Sequence, residues 1–119
     1  MITNIRMATM DVTDQEAALD FYTRKLGLEK WFDMTHEGSR FLVVRPVGTT
    51  CGIILSHAPS RAGSAKCVLA TDDMESTARE FLAAGGTFVH APVMQPWGII
   101  EGELRDPDEN EIVLVQPPG

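Results

Sequence analysis

The sequence has little cysteine and no long apolar run. Its 119 residues include two cysteines, Cys51 and Cys67, without CxxC spacing. Both lie in apolar stretches that read as strands, which predicts two buried thiols rather than a disulfide or a metal site. No stretch approaches the ~18 apolar residues of a membrane span, and no basic segment followed by an apolar one opens the chain. We therefore expect a cytoplasmic protein that does not bind membranes.

Basic residues are also scarce, with 10 Lys and Arg against 17 Asp and Glu and a net charge of −7. Nucleic acids and anionic membranes need a basic surface, so the charge disfavours both as partners. The acidic excess agrees with a cationic ligand, but it also serves solubility alone. His36, His57 and His90 match no familiar metal pattern, and neither a serine–histidine–acid arrangement nor a glycine-rich phosphate loop is present.

What the sequence does contain is an internal repeat. Helix-like stretches open at Thr13 and Asp72 and close at Gly27 and Gly86, and both pairs are separated by 59 residues. Two copies of this length indicate a pair of fused modules rather than a solenoid. We expect a ligand pocket between the copies, formed by a few paired positions.

Each copy predicts the element order β-α-β-β-β. In the first helix, Thr13 and Glu16 read as a capping box. The predicted strands and helices cover residues 5–12, 13–27, 28–34, 41–45 and 52–56 in the first copy, and 66–71, 73–84, 87–93, 98–105 and 111–115 in the second. Helices on one face of such sheets leave the other face free for a ligand, in an α+β fold.

We assign one domain to residues 1–119. Module one covers 4–57, and module two covers 65–117. Residues 58–64 contain Pro59, Ser60 and Gly63 and read as the linker.

Several short strings along the chain point to one protein family. They are Val12-Thr13-Asp14, Ala18, Phe21-Tyr22, Leu26-Gly27-Leu28, Pro96-Trp97-Gly98 and the run from Arg105 to Ile112. Together they resemble the vicinal oxygen chelate superfamily, which includes glyoxalase I, extradiol dioxygenases, fosfomycin-resistance enzymes and bleomycin-resistance binding proteins. The resemblance covers nearly the whole chain. One departure is Glu109, where the family often has glycine in its turn.

The resemblance implies two βαβββ modules that form a cup-shaped mixed sheet with helices on the outer face, usually completed in a homodimer. Catalytic members hold a divalent metal in the cup on His or Glu of the first and last strands. The matching positions here are Met7, Ile54, Lys66 and Val113. None is a usual ligand for such an ion, so we expect no metal and no cofactor.

An apolar cup with a few polar groups suits an organic ligand. If Met7 faces the cup, the strand period brings Thr9 and Asp11 with it, and Lys66 brings Val68. The predicted ligand-binding residues are Met7, Thr9, Asp11, Ile54, Lys66, Val68, Trp97 and Val113. Asp11 and Lys66 either pair with each other across the first strands or contact the ligand.

Aromatic side chains at the cup rim can stack on flat ligand groups. The resemblance places Trp97 near the site, although packing in the core is the alternative. Trp31 is assigned to a core or dimer contact, because only one of the neighbours Trp31 and Phe32 is expected to face the cup. Three arginines could hold ligand carboxylates, but surface ion pairing is the default assignment for each: Arg40, Arg45 and Arg105.

These observations favour metal-independent binding or sequestration of a small organic molecule, such as an antibiotic or an aromatic metabolite, in the manner of bleomycin-resistance proteins. The alternative is a glyoxalase-like lyase or isomerase that uses Asp11 and Lys66 or a displaced metal. A regulatory module with a vestigial cup is a third possibility. Metal content separates the first two, and an inaccessible cup would indicate the third.

Overall fold

The computed structural model describes residues 1–118, and Gly119 of the predicted domain and tail lies outside the described residues. Eight strands and two helices follow the predicted order. They are β1 (Met7–Val12), α1 (Gln15–Asp20), a π-helical turn (Phe21–Lys25), β2 (Glu29–His36), β3 (Ser39–Arg45), β4 (Gly52–His57), β5 (Lys66–Ala70), α2 (Met74–Ala83), β6 (Phe88–Met94), β7 (Ile100–Arg105) and β8 (Glu111–Gln116). Neither helix in residues 1–118 has the length and apolar character needed to span a bilayer.

The strands form two four-stranded sheets with equivalent topology. The first has the order β1-β4-β3-β2 and the second β5-β8-β7-β6. In each module the first and last strands are parallel, and the other neighbours are antiparallel. The duplication is visible in the register, since Thr9 lies opposite Ile54 in one sheet and Val68 opposite Val113 in the other. The α+β fold with two βαβββ modules is therefore confirmed.

Each sheet turns one face toward the buried core and leaves the other face open. In β1, Met10 and Val12 are buried whereas Thr9 is exposed, as expected from the two-residue period of a strand. The buried cluster joins both modules: Met10, Val12, Ala18, Phe21, Tyr22, Leu42, Val44, Ile53 and Leu55 belong to the first, and Met74, Phe81, Leu104, Ile112 and Leu114 to the second. The open faces are therefore the surfaces left for a ligand.

The first helix begins differently from the prediction. Asp14 is its N-cap, because the Asp14 carboxylate accepts hydrogen bonds from the backbone N–H groups of Glu16 and Ala17. The predicted Thr13–Glu16 capping box is wrong, because the Thr13 hydroxyl donates to the Asp108 carboxylate at 2.7 Å instead. A contact with the second module thus replaces a local one.

A π-helical turn, absent from the prediction, extends α1. Its hydrogen bond runs from the backbone N–H of Leu26 to the carbonyl of Phe21 at 3.3 Å. The wider turn accompanies the burial of two consecutive aromatic residues, Phe21 and Tyr22. The Phe21 ring packs edge-on against Phe81 of the second module, with 6.3 Å between centroids.

A buried polar network at the turn between β7 and β8 joins the modules. The Asp106 carboxylate is 3% exposed and accepts hydrogen bonds from the Tyr22 hydroxyl at 2.8 Å and the Asn110 side-chain amide at 2.9 Å. The backbone N–H groups of Asp108 and Asn110 also donate to it. Asn110 further donates to the backbone carbonyl of Asp11 in β1. The run from Arg105 to Ile112, which contributes to the family resemblance, thus has a structural role in joining the two modules.

Replacing Glu109 with glycine should stabilise the fold by about 0.5–1 kcal/mol. Glu109 has a φ of 72°, a left-handed conformation that costs a side-chain-bearing residue about 1–2 kcal/mol. The greater freedom of glycine in the unfolded chain offsets part of this gain. Urea unfolding measures the change. Glu109→Ala is the control, because it removes the carboxylate and keeps the strain; an equal gain in both variants would contradict this explanation.

Candidate functional site

The predicted binding residues fall into two groups on different sheets. Met7, Thr9, Asp11 and Ile54 lie on the open face of the first sheet, and Lys66, Val68 and Val113 on that of the second. Trp97 occupies the turn between β6 and β7 and is 62% exposed. The structure brings Thr9 next to Ile54 and Val68 next to Val113 as cross-strand partners.

The open face of the first sheet holds an aromatic surface that the sequence did not predict. A bulge in β2 between Lys30 and Phe32 places Trp31 on the same face as Phe32. The two rings stack with 4.8 Å between centroids. The expectation that only one of them can face the cup is therefore wrong, as is the assignment of Trp31 to the core.

Two further apolar side chains extend this surface. The Phe41 ring centroid lies 6.1 Å from that of Phe32, and Met34 is the cross-strand partner of Phe41. Met34 is 58% and Phe41 38% exposed. We call Trp31, Phe32, Met34 and Phe41 the aromatic surface. Exposed apolar patches of this kind typically mark binding sites.

A glycine makes room for the indole. A Cβ at position 52 would lie 3.1 Å from Cε3 of Trp31 and 2.8 Å from Cγ1 of Val43. Carbon atoms that are not bonded do not approach this closely without displacement, since ordinary contacts are about 3.5–4.0 Å. Gly52 therefore allows Trp31 to lie close to the sheet.

Two arginines contact the same indole. The guanidinium carbon of Arg45 lies 4.6 Å, and that of Arg6 4.9 Å, from the Trp31 ring centroid. Arg45 also donates to the Glu29 carboxylate at 3.0 Å and to the carbonyl of Thr49 at 2.6 Å. The backbone N–H of Gly48 and the Arg45 guanidinium together hold the pKa of Glu29 below its usual range.

The assignment of Arg40, Arg45 and Arg105 to ion pairs is confirmed. Their carboxylate partners are Asp33 and Glu16 for Arg40, Glu29 for Arg45, and Glu103 and Glu111 for Arg105. These three guanidinium groups are thus engaged within the protein.

The open face of the second sheet has a different chemistry. Val68 is exposed on the edge strand β5, and the Lys66–Glu111 ion pair lies on the same face. A cavity of about 180 Å³ on this face is lined by His90, Ala91, Val93, Gln95, Glu101, Gly102, Glu103 and Val113. This face combines apolar contact area with carboxylates, whereas the first combines it with aromatic rings and guanidinium groups.

Asp11 and Lys66 have separate partners. The Asp11 carboxylate pairs with the linker residue Arg61 at 3.4 Å, and the Lys66 ammonium pairs with Glu111 at 2.9 Å. The proposed pairing of Asp11 with Lys66 is therefore wrong. Lys66 lies directly opposite Glu111 in the parallel register, which explains the preference. The hydrogen bond raises the pKa of Lys66 and lowers that of Glu111.

Comparison with known proteins identifies the family. Residues 4–114 match the family model described as Glyoxalase/Bleomycin resistance protein/Dioxygenase superfamily. The chain belongs to this superfamily. No curated protein matches the chain.

Three solved structures agree closely with the fold. TnmS3, an antibiotic binding protein from Streptomyces sp. CB03234, is 31% identical with a TM-score of 0.87, and the match covers 98% of this chain and 97% of TnmS3. A superfamily member from Sphaerobacter thermophilus is 36% identical with a TM-score of 0.84, covering 97% and 98%. UcmS2 is 30% identical with a TM-score of 0.85, covering 97% and 98%.

The side chains at the four positions that the resemblance assigns to metal ligands do not suit a divalent metal. Thioether, aliphatic and ammonium groups stand at Met7, Ile54, Lys66 and Val113, and Lys66 is already bound to a carboxylate. In the described part of the chain, no three His, Cys, Asp or Glu side chains are close enough to share an ion.

The cysteines are both free thiols. Cys67 in β5 is half-buried, but Cys51 lies just before β4 and is exposed. The prediction of two buried thiols is therefore wrong for Cys51. Burial raises the pKa of the Cys67 thiol, which disfavours its reactive thiolate form.

Replacing Lys66 with methionine should raise the pKa of Glu111. The variant removes the ammonium group that holds this carboxyl below its ordinary value of 4.5. NMR titration of the Glu111 carboxyl carbon measures the change. Arg24→Met is the control, because Arg24 pairs with Asp20 and should leave Glu111 unaffected. An unchanged Glu111 titration in Lys66→Met would contradict the ion pair.

The two pKa shifts determine how the stability contributed by the Lys66–Glu111 pair depends on pH. Glu111 contributes stability above its unfolded pKa, and this contribution is lost as pH falls through the lowered folded value. Lys66 contributes below its ordinary value of 10.5 and loses the contribution as pH rises through its raised folded value. The pair therefore acts across the neutral range.

Proposed function

We propose that this protein binds a flat aromatic small molecule on the open face of its first sheet and sequesters it without a resident metal and without altering it. The aromatic surface carries this proposal. Its four side chains are apolar and on an open sheet face, where they contribute little to the buried core. Aromatic groups favour stacked and edge-on contact with one another, so a planar ligand gains both burial and ring geometry there.

The comparisons support a binding role. TnmS3, which shares the fold along nearly the whole chain, is described as an antibiotic binding protein. The side chains at the metal positions also favour binding over metal-assisted catalysis. The lyase or isomerase hypothesis gains no support from Asp11 and Lys66, because each is engaged in its own ion pair.

The other predicted residues take supporting roles in this proposal. Met7, Thr9 and Ile54 flank the aromatic surface on β1 and β4. We infer that a second copy of the chain, in a cytoplasmic homodimer, completes the site with the open face of its second sheet. Lys66, Val68 and Val113 would then contact the ligand from that face, with Asp11 and Trp97 at the rim.

Metal analysis and ligand titration test the proposal together. Elemental analysis should find no stoichiometric zinc, nickel, manganese or iron in purified protein. Planar aromatic antibiotics and metabolites, titrated by calorimetry and tryptophan fluorescence, should bind a chelator-treated sample as tightly as an untreated one. Recovery of each ligand unchanged by mass spectrometry separates sequestration from turnover. Stoichiometric metal, loss of binding after chelation, or conversion of the ligand would contradict the proposal.

A further inference from the structure

The two guanidinium groups on Trp31 differ in how they are used. The Arg45 group already has acceptors in the Glu29 carboxylate and the Thr49 carbonyl. Arg6, just before β1, has the same contact with the indole, but its side chain donates to no acceptor among residues 1–118. The first group is part of the framework, whereas the second keeps its donors available.

The carboxylates on this open face have partners other than Arg6. Glu29 takes Arg45 and the backbone N–H of Gly48, and Asp11 takes Arg61. Arg6 is therefore a positive charge beside the aromatic surface whose hydrogen-bonding capacity is not used in the described part of the chain. A guanidinium that rests on an aromatic ring still offers N–H groups in a planar fork that matches a carboxylate.

We propose that Arg6 makes this site selective for aromatic ligands that carry an anionic group, such as a carboxylate. This inference rests on the proposed function, since it requires a ring stacked on the aromatic surface. The ring then lies next to the Trp31 indole, and a carboxylate on the ring lies within reach of the Arg6 guanidinium. The stacked indole limits the motion of the Arg6 side chain, which reduces the ordering cost of binding.

A preference for anionic ligands is the opposite of what the acidic net charge of the chain favours. The chain carries −7 overall, which favours cationic ligands at long range. Salt screens the interaction of a bound ligand with charges more than about 8–10 Å away. The charge preference of the site is therefore set by the adjacent Arg6. A cationic group would instead be attracted to the second-sheet face that the partner copy contributes to the site, where Glu101 has no ion-pair partner among residues 1–118.

Three probes that share one ring system test the proposal. Naphthoate, naphthamide and naphthylmethylamine present an anionic, a neutral and a cationic group on the same naphthalene ring. Calorimetry on the full chain should give naphthoate about tenfold tighter binding than naphthamide, equal to about 1.4 kcal/mol. Naphthylmethylamine should bind no better than naphthamide.

Substitutions of Arg6 locate the preference. Arg6→Gln should remove the tenfold advantage of naphthoate and leave naphthamide binding within about twofold. Arg6→Lys should recover only part of the advantage, because an ammonium group lacks the planar fork. Arg24→Gln is the matched control, since this exposed arginine pairs with Asp20 on the helix and should leave all three affinities unchanged.

The outcomes separate this inference from the proposed function. Equal binding of naphthoate and naphthamide would overturn the role of Arg6 and leave aromatic binding intact. Tighter binding of naphthylmethylamine would also overturn it and would point to the carboxylates of the second sheet. Failure of all three probes to bind would contradict both the inference and the proposed aromatic site.

Discussion

Replacing Asp106 with alanine is expected to lower the free energy of unfolding by at least about 3 kcal/mol. The carboxylate accepts four hydrogen bonds in a site that is almost completely buried. Each buried donor that loses its acceptor costs about 1–3 kcal/mol. The Tyr22 hydroxyl and the Asn110 side chain are both fully buried and have little access to water as a replacement.

Urea unfolding followed by circular dichroism measures this loss. Tyr22→Phe is a graded control, because it removes one donor and leaves the carboxylate with three; we expect a loss of about 1–2 kcal/mol. Asp108→Ala is a second control, because its carboxylate contacts Thr13 at the surface. A loss for Asp106→Ala no greater than that for Asp108→Ala would refute the role of the network.

Replacing Trp31 with leucine should weaken binding of a flat aromatic ligand by about thirtyfold, or about 2 kcal/mol. Buried tryptophans at the centre of a contact typically contribute at least this much. Trp31 stacks on Phe32 and contacts both arginines. Its loss therefore disrupts the aromatic surface and the placement of Arg6. Calorimetry gives the affinity, and circular dichroism checks the fold.

Trp97→Leu is the matched control. This indole is mostly exposed in the turn between β6 and β7, so we expect a loss of about tenfold or less. With only Trp97 left, the Trp31→Leu variant should also show less ligand-induced quenching than wild type. A larger loss for Trp97→Leu than for Trp31→Leu would move the site away from the aromatic surface.

Local patterns in the sequence were enough to predict the fold. The alternation in β1 and the glycines after both helices depend on neighbouring residues, and the constant offset related the modules. The pattern also identified the open face correctly. Met7, Thr9 and Asp11 lie on the side opposite Met10 and Val12, as the two-residue period requires.

The site depended on features that local patterns do not encode. The β2 bulge puts Trp31 and Phe32 on one face, and a strict strand period cannot represent this. The N-cap is Asp14 rather than the predicted Thr13, because Thr13 binds a residue of the other module. The Lys66–Glu111 pair could have been found, because opposite charges at facing strand positions are a readable signal once the parallel register is assigned.

The ties between the modules also bear on how the chain folds during synthesis. Tyr22 and Asp106 are 84 positions apart, Thr13 and Asp108 are 95 apart, and Asn110 and Asp11 are 99 apart. Contacts this distant in sequence slow folding, because a long loop must close before they form. While the ribosome is still making β7 and β8, Asp106 is not available, so the Tyr22 hydroxyl cannot be buried with its native acceptor. We therefore expect native packing to wait until nearly the whole chain has emerged, and nascent chains to need protection from aggregation until then.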